Sequence, residues 1–369
     1  MEPASGRPRI RVLLIAPSLE IVGGQAVQAA RLLPALRRGS SLEVDFQPLN
    51  PRLPGPLRRL QRIKWVRTIV TRLLYGAQLL WRVPRYDLLH IFSAGKSSYS
   101  LNTIPALLIG RLYGKKIIVN YRDGRAEEHL TRWRSARPTL RMADAVVSPS
   151  EYLGQVFAKH GVAARCIPNS IDPTAYRYRI RRPLRPVFLT NRSLEPLYNV
   201  ACVLRAFALV QQRHPEASLI IAHDGVCRPA LEQLARRLDL RQARFVGCVP
   251  PAQVPELYDS AEVYWMSPNV DCMPGTLLEC FASGLPVIAT AVGGIPFMVR
   301  HEETGLLVAP DDHAGMARCA LRLLADPALG ERLAENARRE LDRYSQERVQ
   351  AQWVALYGEL MDAPGGAGG

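Results

Sequence analysis

The sequence predicts an α/β protein made of two doubly wound domains, each a parallel sheet with helices on both faces. Three observations predict this class. Strand-like apolar runs alternate with helical stretches, the alternation occurs twice, and a charged, proline-containing segment separates the two sets. The length of 369 residues fits two domains of roughly 150–200 residues each, so we expect two hydrophobic cores.

The first alternating set begins at Ile10–Ala16, a fully apolar run that is typical of a strand buried in a parallel sheet. A glycine turn and a helical stretch follow it, and "LEVDFQPL" is the next strand. Further strands are predicted at 87–92, 116–121 and 144–148. This order of strand, loop, helix and strand is the doubly wound pattern.

The second set begins near Pro186 with "PVFLTN" and continues through "SLIIAHDG", "ARFVGCV", "EVYWMSP", "PVIATAVGG" and "GLLVAP". We interpret 173–186 as the linker, because it carries a charge run and prolines without apolar periodicity. The domains are therefore placed at 1–180 and 181–345. An amphipathic helix over 346–361 is expected to cross back to the N-terminal domain, and 362–369 are expected to be disordered.

The chain is strongly basic, with 48 Lys and Arg against 33 Asp and Glu and a formal charge of +15. This excess indicates anionic partners. Nucleic acid is disfavoured, because no recognition fold is readable and the basic residues cluster in one segment. That segment, 52–85, holds nine basic residues, no acidic one, and interleaved aliphatic and tryptophan residues. It is either an amphipathic element on an anionic membrane surface or a helix pair packed on the sheet with a solvated basic face.

The sequence predicts a cytoplasmic protein. Its seven cysteines are scattered without a C-x-x-C pair, which is typical of reduced thiols. The apolar run 12–16 is too short for a signal peptide, and no apolar stretch approaches the ~20 residues that span a bilayer. With the basic segment 52–85, this gives the hypothesis of a peripheral protein on the inner face of the membrane.

The strongest local signal for a binding site is "NVDCMPGTLLECFASG". A polar loop from Asp271 to Gly275 precedes a helix that is expected to start near Thr276, at the carboxyl end of a strand. Free N–H groups at such a helix start suit a diphosphate. Glu279 lies two turns or less into this helix, where its carboxylate needs hydrogen-bond donors. Ribose hydroxyls or a neighbouring backbone group are the two alternatives for those donors.

Two further positions are candidates for phosphate binding. Gly23 and Gly24 permit positive φ and a close approach of the backbone to a ligand, and a helix follows them. They do not form G-x-G-x-x-G, so no dinucleotide cofactor is expected. Arg192, at the end of the second domain's first strand, suits bidentate phosphate binding, with a surface salt bridge as the alternative. No metal is expected, because the histidines lack ligand spacing and no Asp-x-Asp precedes a turn.

These residues together resemble glycosyltransferase family 4, the retaining enzymes of GT-B architecture, over nearly the whole chain. The resemblance implies two Rossmann-like domains that face a central cleft. The segment after residue 270 looks like the family's E-x7-E motif, with Asp271 as the first acid and Glu279 as the second. By that match, Asp271 touches the donor sugar and Glu279 holds the nucleotide ribose.

The same resemblance assigns the remaining donor contacts. Gly23 and Gly24 fall on the N-terminal glycine loop, and Arg192 falls on the diphosphate-binding arginine. The donor-binding residues implied in this way are Gly23, Gly24, Asn191, Arg192, Met273, Pro274, Gly275, Thr276 and Glu279.

Two departures from the family pattern stand out. The lysine usually found about five residues after the arginine is absent, and Leu197 and Tyr198 occupy that neighbourhood. The histidine that many members carry after a "VVYT"-like strand is Arg122 here. Either Arg122 meets the diphosphate charge in a divergent but active subgroup, with Arg192 and Asp271 as the other catalytic residues, or catalysis is weakened.

The resemblance implies transfer of a hexose, with retained configuration, from a nucleotide diphosphate sugar to a hydroxyl of a glycan or lipid-linked acceptor. The nucleotide sugar is then a substrate, and no cofactor or metal is needed. The alternatives are a catalytically weakened GT-B-like binding protein and a nucleotide-sugar epimerase. The donor base, the sugar and the acceptor do not follow from the sequence.

Overall fold

A computed structural model of the chain describes residues 9–20, 23–39, 41–53 and 64–363, without the side chains of Lys64 and Trp65. The chain divides into two compact units, 1–170 with 346–369, and 171–345. Within the described residues, each unit contains one six-stranded sheet whose strand pairs are all parallel. The prediction of two doubly wound α/β sets is therefore confirmed.

The sheet of the first unit has the strand order β2-β1-β3-β4-β5-β6. Its strands are β1 Ile10–Ala16, β2 Leu42–Pro48, β3 Leu88–Ser93, β4 Lys116–Tyr121, β5 Ala145–Ser148 and β6 Arg165–Cys166. The helices between them are α1 Gly24–Arg37, α2 Lys64–Arg82, α3 Lys96–Ser98, α4 Ile104–Leu112, α5 Ala126–Arg132, α6 Ala136–Leu140 and α7 Glu151–Lys159. Residues 12–16 of β1 are fully buried, as a strand covered on both faces requires.

The sheet of the second unit has the order β12-β11-β10-β7-β8-β9. Its strands are β7 Val187–Asn191, β8 Ser218–Ala222, β9 Ala243–Gly247, β10 Val263–Met266, β11 Val287–Thr290 and β12 Leu306–Val308. Its helices are α8 Val200–Arg213, α9 Arg228–Arg237, α10 Val254–Asp259, α11 Gly275–Ser283, α12 His313–Ala325 and α13 Pro327–Glu340. Successive residues of β7 point to opposite faces. Phe188 packs into the core that contains Trp265, and Leu189 into the core that contains Tyr264.

The segment that the sequence presents as a linker, 173–186, packs onto the second unit. Arg181 is only 3% exposed, and its guanidinium donates to the carbonyl oxygens of Ala261, Ser283 and Tyr258. Burial lowers the pKa of Arg181 to about 10. Arg181 therefore ties this segment to the second unit, because backbone carbonyl oxygens accept the hydrogen bonds of its guanidinium, although other arginines of the run, such as Arg177 and Arg182, are exposed. The two units divide at residue 170 rather than 180.

The last helix, α14 Gln346–Asp362, belongs to the first unit. Trp353, Leu356 and Tyr357 are buried in the same core as the apolar residues of β1 and α1. The apolar face read from the sequence is the face that packs here. Residues 364–369, within the segment expected to be disordered, lie outside the described residues.

The basic segment 52–85 is described only in part, since 54–63 lie outside the described residues. From residue 64 it forms the single helix α2, whose Tyr75 and Leu79 are buried in the first unit. Its outward side carries Ile69 and Leu73, with exposed fractions of 62% and 69%. The outward side is thus largely apolar, whereas a helix packed on the sheet with a solvated basic face would have turned mainly arginines outward. Among the described residues, no helix combines the length and apolar character needed to cross a bilayer.

Candidate functional site

The candidate site lies where the chain reverses direction across the sheet of the second unit. From β7 the chain moves outward to β8 and β9, and it then returns to β10 on the other side of β7. At such a switch point, the loops after the two central strands diverge and leave a crevice at their carboxyl ends. Arg192 directly follows β7, and the loop containing Asp271 follows β10. The topology therefore explains why side chains 79 positions apart meet.

Arg192 and Asp271 form a buried ion pair. Arg192 Nη2 donates to Asp271 Oδ2, and Nη1 lies 3.5 Å from Thr276 Oγ1. The guanidinium stacks 4.3 Å from the ring centre of Tyr198. Within the described residues, Arg192 Nε has no hydrogen-bond partner although it is buried. One buried guanidinium donor of the pair is thus left unused by the described residues.

Burial and charge act in opposite directions on this pair. Burial lowers the pKa of Arg192, but Asp271 and the neighbouring tyrosines raise it above its ordinary value overall. Burial also raises the pKa of Asp271, against the opposing effects of Arg192 and the Met273 N–H. Arg192 therefore remains a cation at any physiological pH.

The start of α11 forms the next wall of the site. The helix begins at Gly275, one residue before the predicted start, and its N-cap Pro274 has no side-chain acceptor. Asp271 Oδ1 accepts from the Met273 N–H at 3.2 Å, which shapes the loop leading to the helix. No acidic residue lies in the first turn. The positive end of the helix is thus available to an anion.

Two glycines in the loop after β11 support the backbone of Asp271 and Cys272. The Gly294 N–H donates to the Asp271 carbonyl oxygen at 2.9 Å. A Cβ at Gly294 would lie 1.8 Å from the Cys272 carbonyl oxygen, and one at Gly293 would lie 2.0 Å from that of Asp271. Gly293 also has a φ of +54°. Sequence reasoning treated "AVGG" as the end of a strand and missed this supporting role, although adjacent glycines after a strand are a readable signal.

Glu279 lies inside α11 and is 9% exposed. Its Oε2 accepts a hydrogen bond from the Tyr258 hydroxyl at 2.9 Å. Burial and the charge of Glu279 raise the pKa of Tyr258 well above its ordinary value, so the tyrosine stays a donor. Tyr258 is a residue that the sequence did not single out, because its place in the separate helix α10 gives no spacing signal relative to Glu279.

The second unit therefore brings together most of the predicted donor residues: Asn191, Arg192, Asp271, Met273, Pro274, Gly275, Thr276 and Glu279. Asn191 is connected to β10 through its backbone, because its carbonyl oxygen lies 3.5 Å from the hydroxyl of Tyr264 on that strand. The other predicted residues, Gly23, Gly24 and Arg122, belong to the first unit.

The glycine pair of the first unit lies at the start of α1. Gly23 has a φ of 171°, which is extended, and Gly24 is the first residue of α1. Neither residue therefore uses the positive φ that glycine permits. A Cβ at either position would meet no atom within 4 Å, so there is open space beside both residues for the close approach of a ligand.

Arg122 follows β4 and is held in a polar network. Its guanidinium donates to Asn169 and lies 3.4 Å from Asn120 Oδ1. Asn120 Nδ2 lies 3.1 Å from Nε2 of the buried His90, whose Nδ1 lies 2.7 Å from the Tyr357 hydroxyl on α14. Burial, assisted by the charge of Arg122, lowers the pKa of His90 to about 3. A neutral histidine thus links Arg122 to the last helix.

The first unit has its own switch point, between β1 and β3. Lys96 follows β3 there with a φ of +58°, a strained value for a lysine. Its ammonium pairs with Glu128 at 2.6 Å, and the preceding Gly95 N–H donates to Asp123 at 3.1 Å. Sequence reasoning missed this loop, although "SAGKSS" directly after an apolar strand was a usable signal.

Within the described part of the chain, no three His, Cys, Asp or Glu side chains are grouped to hold a metal ion.

Comparisons with known proteins identify the chain's relatives. Residues 22–175 match Glycosyltransferase Family 4, and residues 179–340 match Glycosyl transferases group 1. An uncharacterized glycosyltransferase of Methanocaldococcus jannaschii is 30% identical over 94% of this chain and 96% of that protein. The family resemblance read from the sequence is thereby confirmed.

Other relatives match over shorter parts. An exopolysaccharide phosphotransferase of Streptomyces coelicolor is 30% identical over 71% of this chain and 28% of that protein. A D-inositol 3-phosphate glycosyltransferase of Corynebacterium urealyticum is 32% identical over 46% of this chain and 42% of that protein. The chain thus spans less than half the length of these two relatives.

Solved structures share the fold. Sucrose-phosphate synthase from Thermosynechococcus elongatus superposes with a TM-score of 0.77 at 22% identity, over 96% of this chain and 100% of that one. HepE of Anabaena in complex with UDP gives a TM-score of 0.76 at 17% identity, over 95% and 100%. At these identities the likeness shows the GT-B fold alone.

Proposed function

We propose that this chain, which belongs to the glycosyl transferases group 1 family and has the GT-B fold, transfers a hexose from a nucleotide diphosphate sugar to a hydroxyl group. The proposed acceptor is a glycan or a lipid-linked molecule, and the proposed reaction retains the anomeric configuration. One observation carries the proposal. Arg192, Asp271 and the start of α11 converge at the switch point of the second unit.

A diphosphate fits the charge of this site. Arg192 supplies a permanent cation with an unpartnered Nε among the described residues, and α11 supplies backbone N–H groups without a capping side chain. Crystal structures of Anabaena HepE hold UDP and UDP-glucose. That likeness supports a nucleotide sugar as donor and makes UDP-hexoses the first compounds to test.

In the proposed mechanism, the bond between the anomeric carbon and the β-phosphate oxygen breaks while the acceptor oxygen bonds to the same carbon. Arg192 and the N-terminus of α11 stabilise the charge that develops on the departing diphosphate. The acceptor proton passes to a diphosphate oxygen. Asp271 orients Arg192 and contacts the sugar, and no protein nucleophile takes part.

We also propose that the reaction is independent of metal ions. A divalent cation usually neutralises a departing diphosphate. Here the helix dipole supplies positive charge at that place and Arg192 supplies guanidinium donors, while the ion pair with Arg192 occupies the Asp271 carboxylate that could otherwise hold a cation. Arg122 of the first unit is the further cation proposed to act on the diphosphate.

A binding protein with weakened catalysis is the second candidate. The observation that favours it is Tyr198, which stacks on Arg192 in the neighbourhood where the resembled family carries a lysine. An aromatic ring holds a guanidinium in place, but it adds no positive charge for a leaving diphosphate. Donor turnover distinguishes the two functions.

A screen of UDP-, GDP- and ADP-hexoses by thermal shift tests the donor. A ligand at about 100 times its dissociation constant adds ~2.7 kcal/mol of stability. Products of the best donor are then analysed by NMR, with and without acceptors. A glycoside of retained configuration supports the proposal. A changed nucleotide sugar without acceptor identifies an epimerase, and binding without any product identifies the binding protein.

We further propose that the first unit binds an anionic membrane surface, where a lipid-linked acceptor resides. We call the exposed aliphatic and aromatic residues of α2, of α4 and of the helical turn before α4 the outward apolar face. Its members are Ile69, Leu73, Leu80, Trp81, Leu101, Leu108 and Leu112. Basic residues such as Arg67 and Arg85 are exposed on the same segment. Apolar insertion with basic flanks is the chemistry of interfacial helices.

Sedimentation with vesicles tests this association. The wild type should pellet with anionic vesicles at low salt, less at high salt, and not with neutral vesicles. Ile69→Ser with Leu73→Ser should weaken pelleting, whereas Val226→Ser, at a 75% exposed position of the second unit, serves as the control. A wild type that stays in the supernatant refutes the membrane association and favours a soluble acceptor.

A further inference from the structure

The first unit contains a cavity of about 580 Å³ between the edge strand β2 and the end of α2. Asp45 and Gln47 of β2 line one side, and Gln78, Trp81 and Arg82 of α2 line the other. Its volume is in the range of small-molecule sites. Neither the donor site nor the proposed reaction uses it.

The cavity is cationic. Three arginines line it, Arg52, Arg82 and Arg85, against the single acid Asp45 among its described lining residues. Arg52 is also paired with Glu20, which lies outside the lining, so Arg82 and Arg85 supply most of the positive charge. The Asp45 carboxylate accepts from the Tyr86 hydroxyl and lies 3.7 Å from Arg82 Nη2. The Asp45 carboxylate therefore already has partners within the cavity wall, and the net charge of the lining residues is positive. An anionic group is the ligand that this charge favours.

The inner part of the cavity is preorganised. Arg82 Nη1 donates to the Phe46 carbonyl oxygen and to Gln47 Oε1, both at 2.9 Å. Gln47 is 1% exposed, and its amide donates to Gln78 Oε1 at 2.7 Å. The guanidinium is thus fixed by backbone and amide oxygens, and Asp45 carries the nearest carboxylate among the described residues. A fixed cation loses little conformational entropy when an anion binds.

The mouth of the cavity adjoins the outward apolar face. Trp81 lines the cavity and is 67% exposed, and it also belongs to that face. The guanidinium of Arg85 stacks 3.9 Å from the Trp81 ring centre. A tryptophan with an arginine on its ring, between an apolar surface and a cationic pocket, is suited to the boundary between acyl chains and headgroups.

We propose that this cavity binds the phosphate of an anionic phospholipid headgroup while the outward apolar face enters the bilayer surface. The inference rests on the proposed membrane association. A soluble phosphate would satisfy the cationic lining, but it would leave the adjoining apolar face without a role. Headgroup capture fixes the first unit on the membrane at a defined depth.

The test compares two kinds of anionic vesicle, matched for zeta potential. One contains phosphatidylglycerol, and the other contains a fatty acid that carries charge without phosphate. The wild type should bind the phosphatidylglycerol vesicles more tightly. Arg52→Gln with Arg85→Gln should lower the partition coefficient for these vesicles about 30-fold, from two charges near the surface. The preference over fatty-acid vesicles should disappear.

The matched control is Arg134→Gln with Lys159→Gln. Both residues are exposed in the same unit, outside the cavity, and their replacement removes the same charge. Binding should fall by less than about twofold, because distant surface charges are screened. Equal losses in the two double variants, or no preference for phosphatidylglycerol, would overturn the headgroup site.

A soluble arm separates the two sources of phosphate. Glycerol 3-phosphate should not stabilise the protein in thermal shift, even at a concentration equal to the phosphatidylglycerol concentration that saturates vesicle binding. Stabilisation of the wild type but not of the Arg52→Gln, Arg85→Gln variant, without vesicle binding, would assign the cavity to a soluble ligand and refute the lipid. The vesicle assay contains no donor sugar. A negative result in the vesicle assay therefore contradicts the headgroup site only. Sugar transfer is tested separately, by donor turnover of the wild type.

Discussion

Arg192 shows how one side chain combines structural and proposed catalytic roles. It is held in the second unit by Asp271 on one side and by the ring of Tyr198 on the other. Its charge is costly to bury, and Asp271 offsets that cost. A bound diphosphate would offer the same guanidinium a second anionic partner. The ion pair therefore keeps the cation in place until the donor arrives.

The first prediction separates the two roles of this pair. Arg192→Gln leaves Asp271 charged and buried, so the second unit should lose ~3–5 kcal/mol of stability in urea unfolding. Adding Asp271→Asn removes the unpaired charge and should restore most of that loss, while donor turnover stays absent. A single variant as stable as the wild type, or a double variant with normal turnover, contradicts the assigned roles.

The second prediction concerns Glu279. Glu279→Gln should fold normally, because an amide oxygen still accepts from the Tyr258 hydroxyl. It should lose ~1.5–3 kcal/mol of donor binding, the contribution of a charged acceptor to ribose hydroxyls. Calorimetry with the best donor measures this, and Tyr258→Phe is the companion variant that keeps the carboxylate. Unchanged affinity in Glu279→Gln would remove this residue from the site.

At the scale of elements, loops at the carboxyl ends of strands carry the proposed donor site. The loop after β10 is anchored by the Asp271 side chain, and the glycines after β11 support its backbone from the neighbouring strand end. This close approach of two loops is possible only without a Cβ. The shape of the donor loop is therefore set by a different segment of the chain.

The third prediction follows from that contact. Gly294→Ala places a Cβ where the Cys272 carbonyl oxygen lies, so the loop must move. We expect a loss of at least ~2 kcal/mol in unfolding free energy and a donor affinity reduced more than about tenfold. Gly358→Ala in α14 is the control, because a Cβ there meets no atom within 4 Å and alanine favours a helix. Equal behaviour of the two variants would refute the role of Gly294.

The fourth prediction concerns how α14 is held. His90, bonded to Tyr357 of that helix, has a pKa of about 3, against about 6.5 for an exposed histidine. Between these values the unfolded chain binds more protons than the folded one. Stability should therefore fall as the pH drops from 6.5 towards 3, with a contribution approaching 1.4 kcal/mol per pH unit.

Unfolding in urea across this pH range measures that slope. His90→Gln should show a shallower pH dependence than the wild type, because it removes the group that must stay neutral. His313→Gln, at a half-buried position at the start of α12 in the second unit, should leave the slope unchanged. Parallel curves for the wild type and His90→Gln would show that His90 does not govern acid stability.

At the scale of the whole molecule, the two units repeat one plan. Each has a parallel sheet with a switch point, and each places basic residues after the strands that flank it: Lys96 in the first unit and Arg192 in the second. Both cations are paired with acids, Lys96 with Glu128 and Arg192 with Asp271, at places where such sheets bind ligands. In the proposed reaction, arginine and helix ends take the part that a metal ion plays in other diphosphate chemistry.

The fifth prediction tests this use of fixed charge. Transfer by the wild type should survive EDTA, with a rate within about twofold of the untreated enzyme, because no step is assigned to a metal. Activity is measured with the best donor before and after chelation and after adding Mg²⁺ or Mn²⁺. Loss in chelator with recovery in metal would contradict the proposed diphosphate site.

The sequence by itself determined the fold class and the family. Uninterrupted apolar runs in the sequence predict buried parallel strands. The segment with Asp271 and Glu279 is recognisable from the residue types and their spacing alone. Arg192 was identifiable for the same reason, since it stands at a strand end. Periodicity and short spacing are local properties, and local properties are what a sequence displays directly.

Only the tertiary structure decided which distant residues meet. The pairing of Arg192 with Asp271, the support from Gly294 and the hydrogen bond from Tyr258 join segments that are far apart in sequence. The charge run at 173–186 was misread as a linker, because the carbonyl oxygens that accept from Arg181 come from 258, 261 and 283. The outward apolar face also depended on packing. The sequence shows where a helix is apolar, but the burial of Tyr75 and Leu79 determines which side remains exposed.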